Sequence, residues 1–340
     1  MGNTVLPVQP AVTGDKPLVI FLMGPTASGK TDLAIRLCQH LPVDVISVDS
    51  ALVYRGMDIG TAKPSLAEQA RAPHQLIDIC EPAEHYSAAD FCRDALAAIL
   101  RSIQTGRIPL LVGGTMMYFK ALLEGLAPMP ASTPEVRALI NQQANELGWP
   151  AMHQMLMDID PIYASTLHPN HSQRIGRALE VYRLSGKTMS DFRDLQSQHP
   201  AHGLSERCNI VQIGLLLSDR ARLHQRIETR FMQMLASGFV DEVKTLRMQT
   251  NLHLDLPAIR AVGYRQIWQH LDGEFDYNEM VARGLASTRQ LAKRQMTWLR
   301  GWENINHIIM DRSVNAEVNK LQQLTEIVHQ ALNLLPIKAI

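Results

Sequence analysis

The residues best suited to chemistry begin with Gly24-Pro25-Thr26-Ala27-Ser28-Gly29-Lys30-Thr31, which follows the spacing G-x-x-x-x-G-K-[ST]. Glycines let the backbone curl so that several N–H groups converge on one anion, and a following helix directs its positive end to the same point. Lys30 adds a mobile cation, Thr31 a hydroxyl suited to Mg²⁺, and Thr26 and Ser28 further donors to phosphate oxygens. Such a loop holds adjacent phosphates whether the bond broken is P–O, as in a kinase or NTPase, or C–O, with diphosphate leaving as a unit. Asp49 follows a mostly apolar run and precedes Ser50, so it is expected at a strand tip beside the loop. There it could hold Mg²⁺, take a proton, or merely cap the next segment. Gly113-Gly114-Thr115 ends another apolar run, at a place where NTPases often carry a metal-binding acid. A threonine hydroxyl there is a hydrogen-bond donor or a helix start, and a weak metal ligand.

Cations gather near the end of the chain. Between Val281 and Arg300 lie Arg283, Arg289, Lys293, Arg294 and Arg300, with no acid in the interval. Arg289, Lys293 and Arg300, at spacings of four and seven, share one helical face. The stripe either faces solvent or meets a phosphate backbone. Arg260 and Arg265 around Tyr264, and Arg174 with Arg177, add further basic points.

Apolar runs place these groups on an α/β scaffold. Leu18 to Met23, Val43 to Val48 and Ile108 to Val112 read as strands buried on both faces, and helical patterns follow the first through His40 and occupy Ala88 to Ile103. Strand and helix thus alternate as in a parallel sheet, whose strands bind ligands at their carboxyl ends. After prolines at 128, 130 and 134, residues 135–198 are helix-like without a convincing strand, which predicts a helical insertion domain over 128–207. The α/β domain is then 17–127 with 208–340, in which Ile210 to Leu217 returns as a strand. One long amphipathic helix is expected over 220–246 and another over 278–301, with an edge strand at 305–310 and a closing helix at 316–334. Residues 1–16 read as a flexible leader.

With 340 residues, 46% of them hydrophobic and 19% charged, the chain has ample material for a core and is not of disordered composition. The balance of 33 basic against 33 acidic residues excludes a uniformly basic nucleic-acid coat, so any basic site is local. Cys38, Cys80, Cys92 and Cys208 are scattered, without metal-ligand spacing, and suit reduced cytoplasmic thiols. No apolar run reaches the roughly 18 residues that cross a bilayer.

Five segments together resemble the bacterial type of the tRNA dimethylallyltransferase (tRNA isopentenyltransferase) family. They are GPTASGKT at 24–31, VDSALVYRGMDIGTAKP at 48–64, GGTMMYFKALLEG at 113–125, AIRAVGYRQIW at 258–268 and RQLAKRQMTWLRG at 289–301. The resemblance implies a P-loop NTPase-like parallel sheet flanked by helices, with a helical insertion domain. It implies transfer of a dimethylallyl group from dimethylallyl diphosphate to N6 of the adenosine on the 3′ side of the tRNA anticodon. An adenine N6 amine is a weak nucleophile because its lone pair is conjugated into the ring, so a carboxylate that accepts its proton assists. Because a stacked N6 is hard to reach, the base is expected everted into a channel, with the prenyl diphosphate entering from the other side.

The resemblance assigns roles residue by residue. Asp49 becomes the general base, with Thr115 as the second catalytic group. Gly24, Thr26, Ala27, Ser28, Gly29, Lys30, Thr31 and Arg230, the last within Arg226-Ile227-Glu228-Thr229-Arg230-Phe231, hold the diphosphate, and Thr31 also holds Mg²⁺. Contact with tRNA falls to Asp49, Ser50, Ala51, Leu52, Thr115, Arg137, Gln173, Arg174, Arg177, Arg260, Gly263, Tyr264, Arg265, Lys293, Arg294 and Arg300. Many members carry Gln where this chain has Leu52, and the zinc finger that eukaryotic members often append is lacking. A cytoplasmic monomer with no membrane association is expected. The rival readings are a small-molecule or nucleoside kinase and a non-catalytic RNA-binding NTPase switch.

Overall fold

The computed structural model describes residues 16–198, 203–311 and 320–336. The expected leader therefore lies outside the described residues except for Lys16, as does the start of the closing helix. Strands β1 (Leu18–Met23), β2 (Val43–Val48), β3 (His74–Gln75) and β4 (Ile108–Gly113) are followed in turn by helices α1 (Lys30–His40), α2 (Leu66–Arg71), α3 (Ala88–Gln104) and α4 (Met116–Glu124). Next come α5 (Pro134–Leu147), α6 (Trp149–Ile159), α7 (Pro161–Ala164), α8 (Ser172–Ser185), α9 (Met189–Gln198) and α10 (Leu204–Arg207). Strand β5 (Asn209–Leu216) leads to α11 (Arg220–Ala236), α12 (Phe239–Arg247), α13 (Tyr264–Leu271) and α14 (Tyr277–Arg300), and β6 (Asn306–Ile309) precedes α15 (Lys320–Asn333).

All six strands run parallel, in the order β3-β2-β4-β1-β5-β6. Helices cover both faces of such a sheet, which is why β1 and β4 read as unbroken apolar runs and are almost wholly buried. On one face Ile20 and Leu22 pack with Leu33 and Leu37 of α1 and Ile327 and Val328 of α15. A second core joins Phe231, Phe239, Tyr264, Ile267, Trp268 and Met280 to Val53, Tyr54 and Met57 of the segment after β2. Each fully buried side chain of this size contributes about 1.5–3 kcal/mol over leaving it exposed. Residues Ala121–Glu206 form a separate compact unit, and α5, α6 and α8 supply Ile140, Ala144, Met152, Leu156, Ile175 and Leu179 to its core.

The register aligns the strand tips that matter. Met23 of β1 and Val48 of β2 both pair with Gly113 of β4, so Gly24, Asp49 and Gly114 leave the sheet at one level. A β-carbon on Gly113 would stand 1.9 Å from the Val48 carbonyl oxygen. No side chain fits there, and this crowding explains why β4 ends in glycine and not in an acid. The single long helix expected over 220–246 is in fact α11 and α12. Gly238, at φ 98°, ends the first and caps the second, because its left-handed backbone cannot continue a right-handed helix. The two-residue β3 was not anticipated; it is too short to show a strand pattern.

Candidate active site

At the tip of β1 the phosphate loop wraps around the start of α1. Gly29, the residue before α1, adopts φ 94° and has no side chain to satisfy the first-turn N–H groups, which leaves them directed at an anion. Lys30 folds back over the loop, its Nζ donating to the carbonyl oxygens of Gly24 at 2.9 Å and Pro25 at 2.7 Å. A cavity opens beside the loop, lined by Thr26, Ala27, Lys30, Thr31, Ser47, Asp49 and Arg230 on its polar side. Ile227, Phe231, Met234, Phe239 and Leu291 make its apolar wall. Gly24, Ser28 and Gly29 shape the loop without lining this cavity. The Ser28 hydroxyl is buried beneath the loop against Gly24, so the expected side-chain contact of Ser28 with phosphate is not made from this arrangement.

A second cavity lies on the other side of Asp49, lined by Ser50, Thr115, Met116, Met117, Arg260, Arg294 and Trp298. Asp49, Ala51, Gly114, Ala261, Val262, Leu291 and Gln295 line both. Asp49 thus stands between a cationic, loop-capped space and a space rimmed by an aromatic ring and arginines. Its Oδ1 accepts the N–H groups of Ala51 at 2.8 Å and Leu52 at 3.3 Å, so it does cap the next segment. One carboxylate oxygen serves this turn, and no bond to Oδ2 occurs among the described residues. Thr115 Oγ1 accepts the Ser50 N–H at 3.2 Å, which leaves the hydroxyl hydrogen to donate. Thr115 lines the second cavity and not the first, so it belongs with the space opposite the phosphate loop.

The comparisons with known proteins decide the family. The family model described as IPP transferase matches residues 52–302. The chain belongs to the IPP transferase family. Among solved structures, it is similar to the full-length tRNA isopentenylpyrophosphate transferase of Bacillus halodurans, at 34% identity and TM-score 0.66, covering 94% of this chain and 97% of that one. The tRNA delta(2)-isopentenylpyrophosphate transferase of Staphylococcus epidermidis is 30% identical at TM-score 0.64, with 94% and 99% covered. A eukaryotic dimethylallyltransferase acting on tRNA is 25% identical at TM-score 0.75, with 95% and 81% covered.

Electrostatics in this IPP transferase family member centre on Lys30. Burial first, and then the neighbouring Arg230, lower its pKa from 10.5 to about 7, while Asp49 acts in the opposite direction. Burial likewise lowers Arg230, which Asp49 and Asp32 oppose. Two cations confined in one apolar-backed cavity favour a dense anion between them. Below about pH 7 Lys30 carries its proton and attracts a diphosphate, and above it the free protein must first take one up. Pyrophosphate affinity is therefore expected to weaken by up to about tenfold per pH unit above 7, with proton uptake in titration calorimetry. Lys30→Arg, which does not titrate in this range, removes the Lys30 part of the uptake.

The expected RNA contacts divide. Lys293, Arg294, Arg300 and Arg265 are exposed and make no ion pair among the described residues. Arg260 pairs with Asp255 at 3.2 Å. The stripe on α14 is smaller than expected, because Arg289 turns to Glu228 of α11 at 3.1 Å and Arg283 pairs with Glu279 at 2.6 Å. Tyr264 differs more: its ring is 0% exposed and its hydroxyl donates to Glu242, which also accepts the N–H groups of Asp58, Ile59 and Gly60. It supports the segment walling the first cavity instead of presenting a face to RNA. Gly263, at φ 93° against Phe239, is the tight turn that puts it there. In the Ala121–Glu206 unit, Gln173 and Arg174 are exposed in the first turn of α8. Arg137 and Arg177 instead flank the buried Glu180, at 3.1 and 3.2 Å.

Proposed function

We propose that this chain transfers the dimethylallyl group of dimethylallyl diphosphate to N6 of the adenosine 3′ to the tRNA anticodon, releasing diphosphate. The observation that carries the reading is the position of Asp49, common to a cavity capped by the phosphate loop and to one rimmed by Trp298, Arg294 and Arg260. The diphosphate lies against the loop N–H groups, Lys30 and Arg230, and the five-carbon tail against Ile227, Phe231 and Met234. The adenine enters the second cavity everted from the loop of the tRNA, its N6 toward Asp49. Asp49 takes the N6 proton as the C–N bond forms and the C–O bond to the diphosphate breaks. Charge then grows on the departing oxygen, where preorganised donors and cations act most strongly. Thr115 donates its free hydroxyl hydrogen to the base or to the reacting centre beside it.

Mg²⁺ fits the donor set. Thr31 and Ser47 bring two hydroxyls to the first cavity, and the Ser47 hydroxyl is buried with no partner among the described residues. No cluster of three or more His, Cys, Asp or Glu able to hold a metal occurs among the described residues. The ion would therefore take its remaining ligands from phosphate oxygens and water, as Mg²⁺ usually does. Thr31 would hold it, and it would supply charge neutralisation to the diphosphate. The four cysteines are unpaired, and no helix among the described residues is long and apolar enough to cross a membrane. A cytoplasmic monomer remains the expectation, and light scattering of the purified chain tests the oligomeric state.

The reading requires diphosphate release to depend on both substrates. With tRNA and dimethylallyl diphosphate present, one diphosphate is expected per prenyl group bound to RNA. Release from the donor without tRNA at the same rate would refute it. Neutralising Lys293, Arg294 and Arg300 together is expected to reduce the slope of log affinity for tRNA against log salt by about 2, at about 0.7 per single-strand phosphate contact. An unchanged slope would leave these cations facing solvent.

A further inference from the structure

One buried polar side chain in the site has no part in the scheme above. Gln295 lies on α14 in line with the buried Ala292 and Leu299, and is only 9% exposed. A carboxamide placed there is costly unless both of its ends are bonded. Both are: Oε1 accepts the Thr26 N–H of the phosphate loop at 2.9 Å, and Nε2 donates to the Gly114 carbonyl oxygen at 2.9 Å. The fit is tight, since a β-carbon on Gly114 would stand 2.4 Å from Nε2. Gln295 also lines both cavities, and its neighbour Arg294 lines the second.

We propose that Gln295 is a positioning residue for the transfer: its carboxamide fastens the phosphate loop and the β4 turn to α14, fixing the leaving diphosphate relative to the incoming base. The proposal rests on the function set out above. A neutral carboxamide is the group that can satisfy an N–H and a C=O at once. An ionised glutamate can serve only the Thr26 N–H and would oppose the Gly114 oxygen, and a methionine serves neither. Because α14 is a continuous helix, the same residue ties the free cations Lys293, Arg294 and Arg300 to the anion site. Docking of RNA on that helix and seating of the diphosphate therefore share one mechanical link.

The test uses Gln295→Glu, Gln295→Met and the unaltered chain in single-turnover transfer to tRNA, with tRNA affinity and thermal melting measured alongside. Gln295→Met is expected to lower the transfer rate by about a hundredfold, the size of effect that a displacement near 1 Å produces, with tRNA affinity retained. Protonated glutamic acid reproduces both bonds of the carboxamide. The rate of Gln295→Glu divided by that of the unaltered chain is thus expected to rise at least about tenfold from about pH 8.5 to about pH 5.5. The ratio removes the part of the Lys30 titration that the two enzymes share. The other charged groups around the position are Asp49 and Arg230 in the first cavity and Arg260 and Arg294 in the second. A pH-independent ratio, or a Gln295→Met enzyme with unaltered rate, overturns the proposal. Should Gln295→Met fail to fold, the ratio for Gln295→Glu decides alone. No transfer by the unaltered chain refutes the proposed function instead, so the two failures are distinct.

Discussion

Asp49→Asn is expected to lower single-turnover prenyl transfer by about a hundredfold or more while tRNA affinity stays within about twofold. Asparagine keeps an oxygen to accept the N–H groups of Ala51 and Leu52, so the turn after β2 survives the change. What it loses is the basic oxygen that neither N–H occupies. The measurement is rapid-quench transfer with enzyme in excess over tRNA, beside a filter-binding titration. Unchanged transfer would reduce Asp49 to the cap that its two backbone bonds already make it.

Removing the cation opposite Lys30 is expected to have an effect of similar size by a different route. Arg230→Gln should lower kcat/KM for the prenyl donor by about 10²–10³, the range found when one donor to a developing anion is lost. Arg230 is the second cause of the depressed Lys30 pKa, after burial, so its loss moves that pKa back toward 10.5 without reaching it. The fall in pyrophosphate affinity with rising pH should then begin above pH 7. Titration calorimetry across that range checks both parts, and a pH profile that stays in place would show that Arg230 and Lys30 do not share the anion.

The sequence carried the strand tips better than the walls between them. Gly24 to Thr31 and Asp49 were legible because a phosphate loop and a strand-end acid are local patterns, each within a few residues of the strand that positions it. The parallel order was implied by alternation, the α14 cations by an acid-free charge run at helical spacing, and the family resemblance supplied Arg230. The apolar wall of Ile227, Phe231 and Met234 was not legible, since any amphipathic helix offers such residues and only the packing of α11 selects them. Tyr264 looked like a contact flanked by arginines. Its burial depends on Glu242, 22 residues earlier in the chain. Arg289 looked unpaired because its acid, Glu228, lies 61 residues away on α11. Gln295 gave no signal, because its partners at Thr26 and Gly114 are 269 and 181 residues distant. The common cause is sequence separation: periodicity reports the face on which a residue lies, and not what the fold brings to that face.

The most direct measurement of the central claim is the chemical fate of the RNA. After incubation with tRNA, dimethylallyl diphosphate and Mg²⁺, nuclease digestion and mass spectrometry should find one adenosine, 3′ to the anticodon, heavier by a C5H8 unit, with diphosphate released in equal amount. Unmodified RNA, together with transfer of the terminal phosphate of ATP to a small molecule or nucleoside, would contradict it and make the phosphate loop that of a kinase.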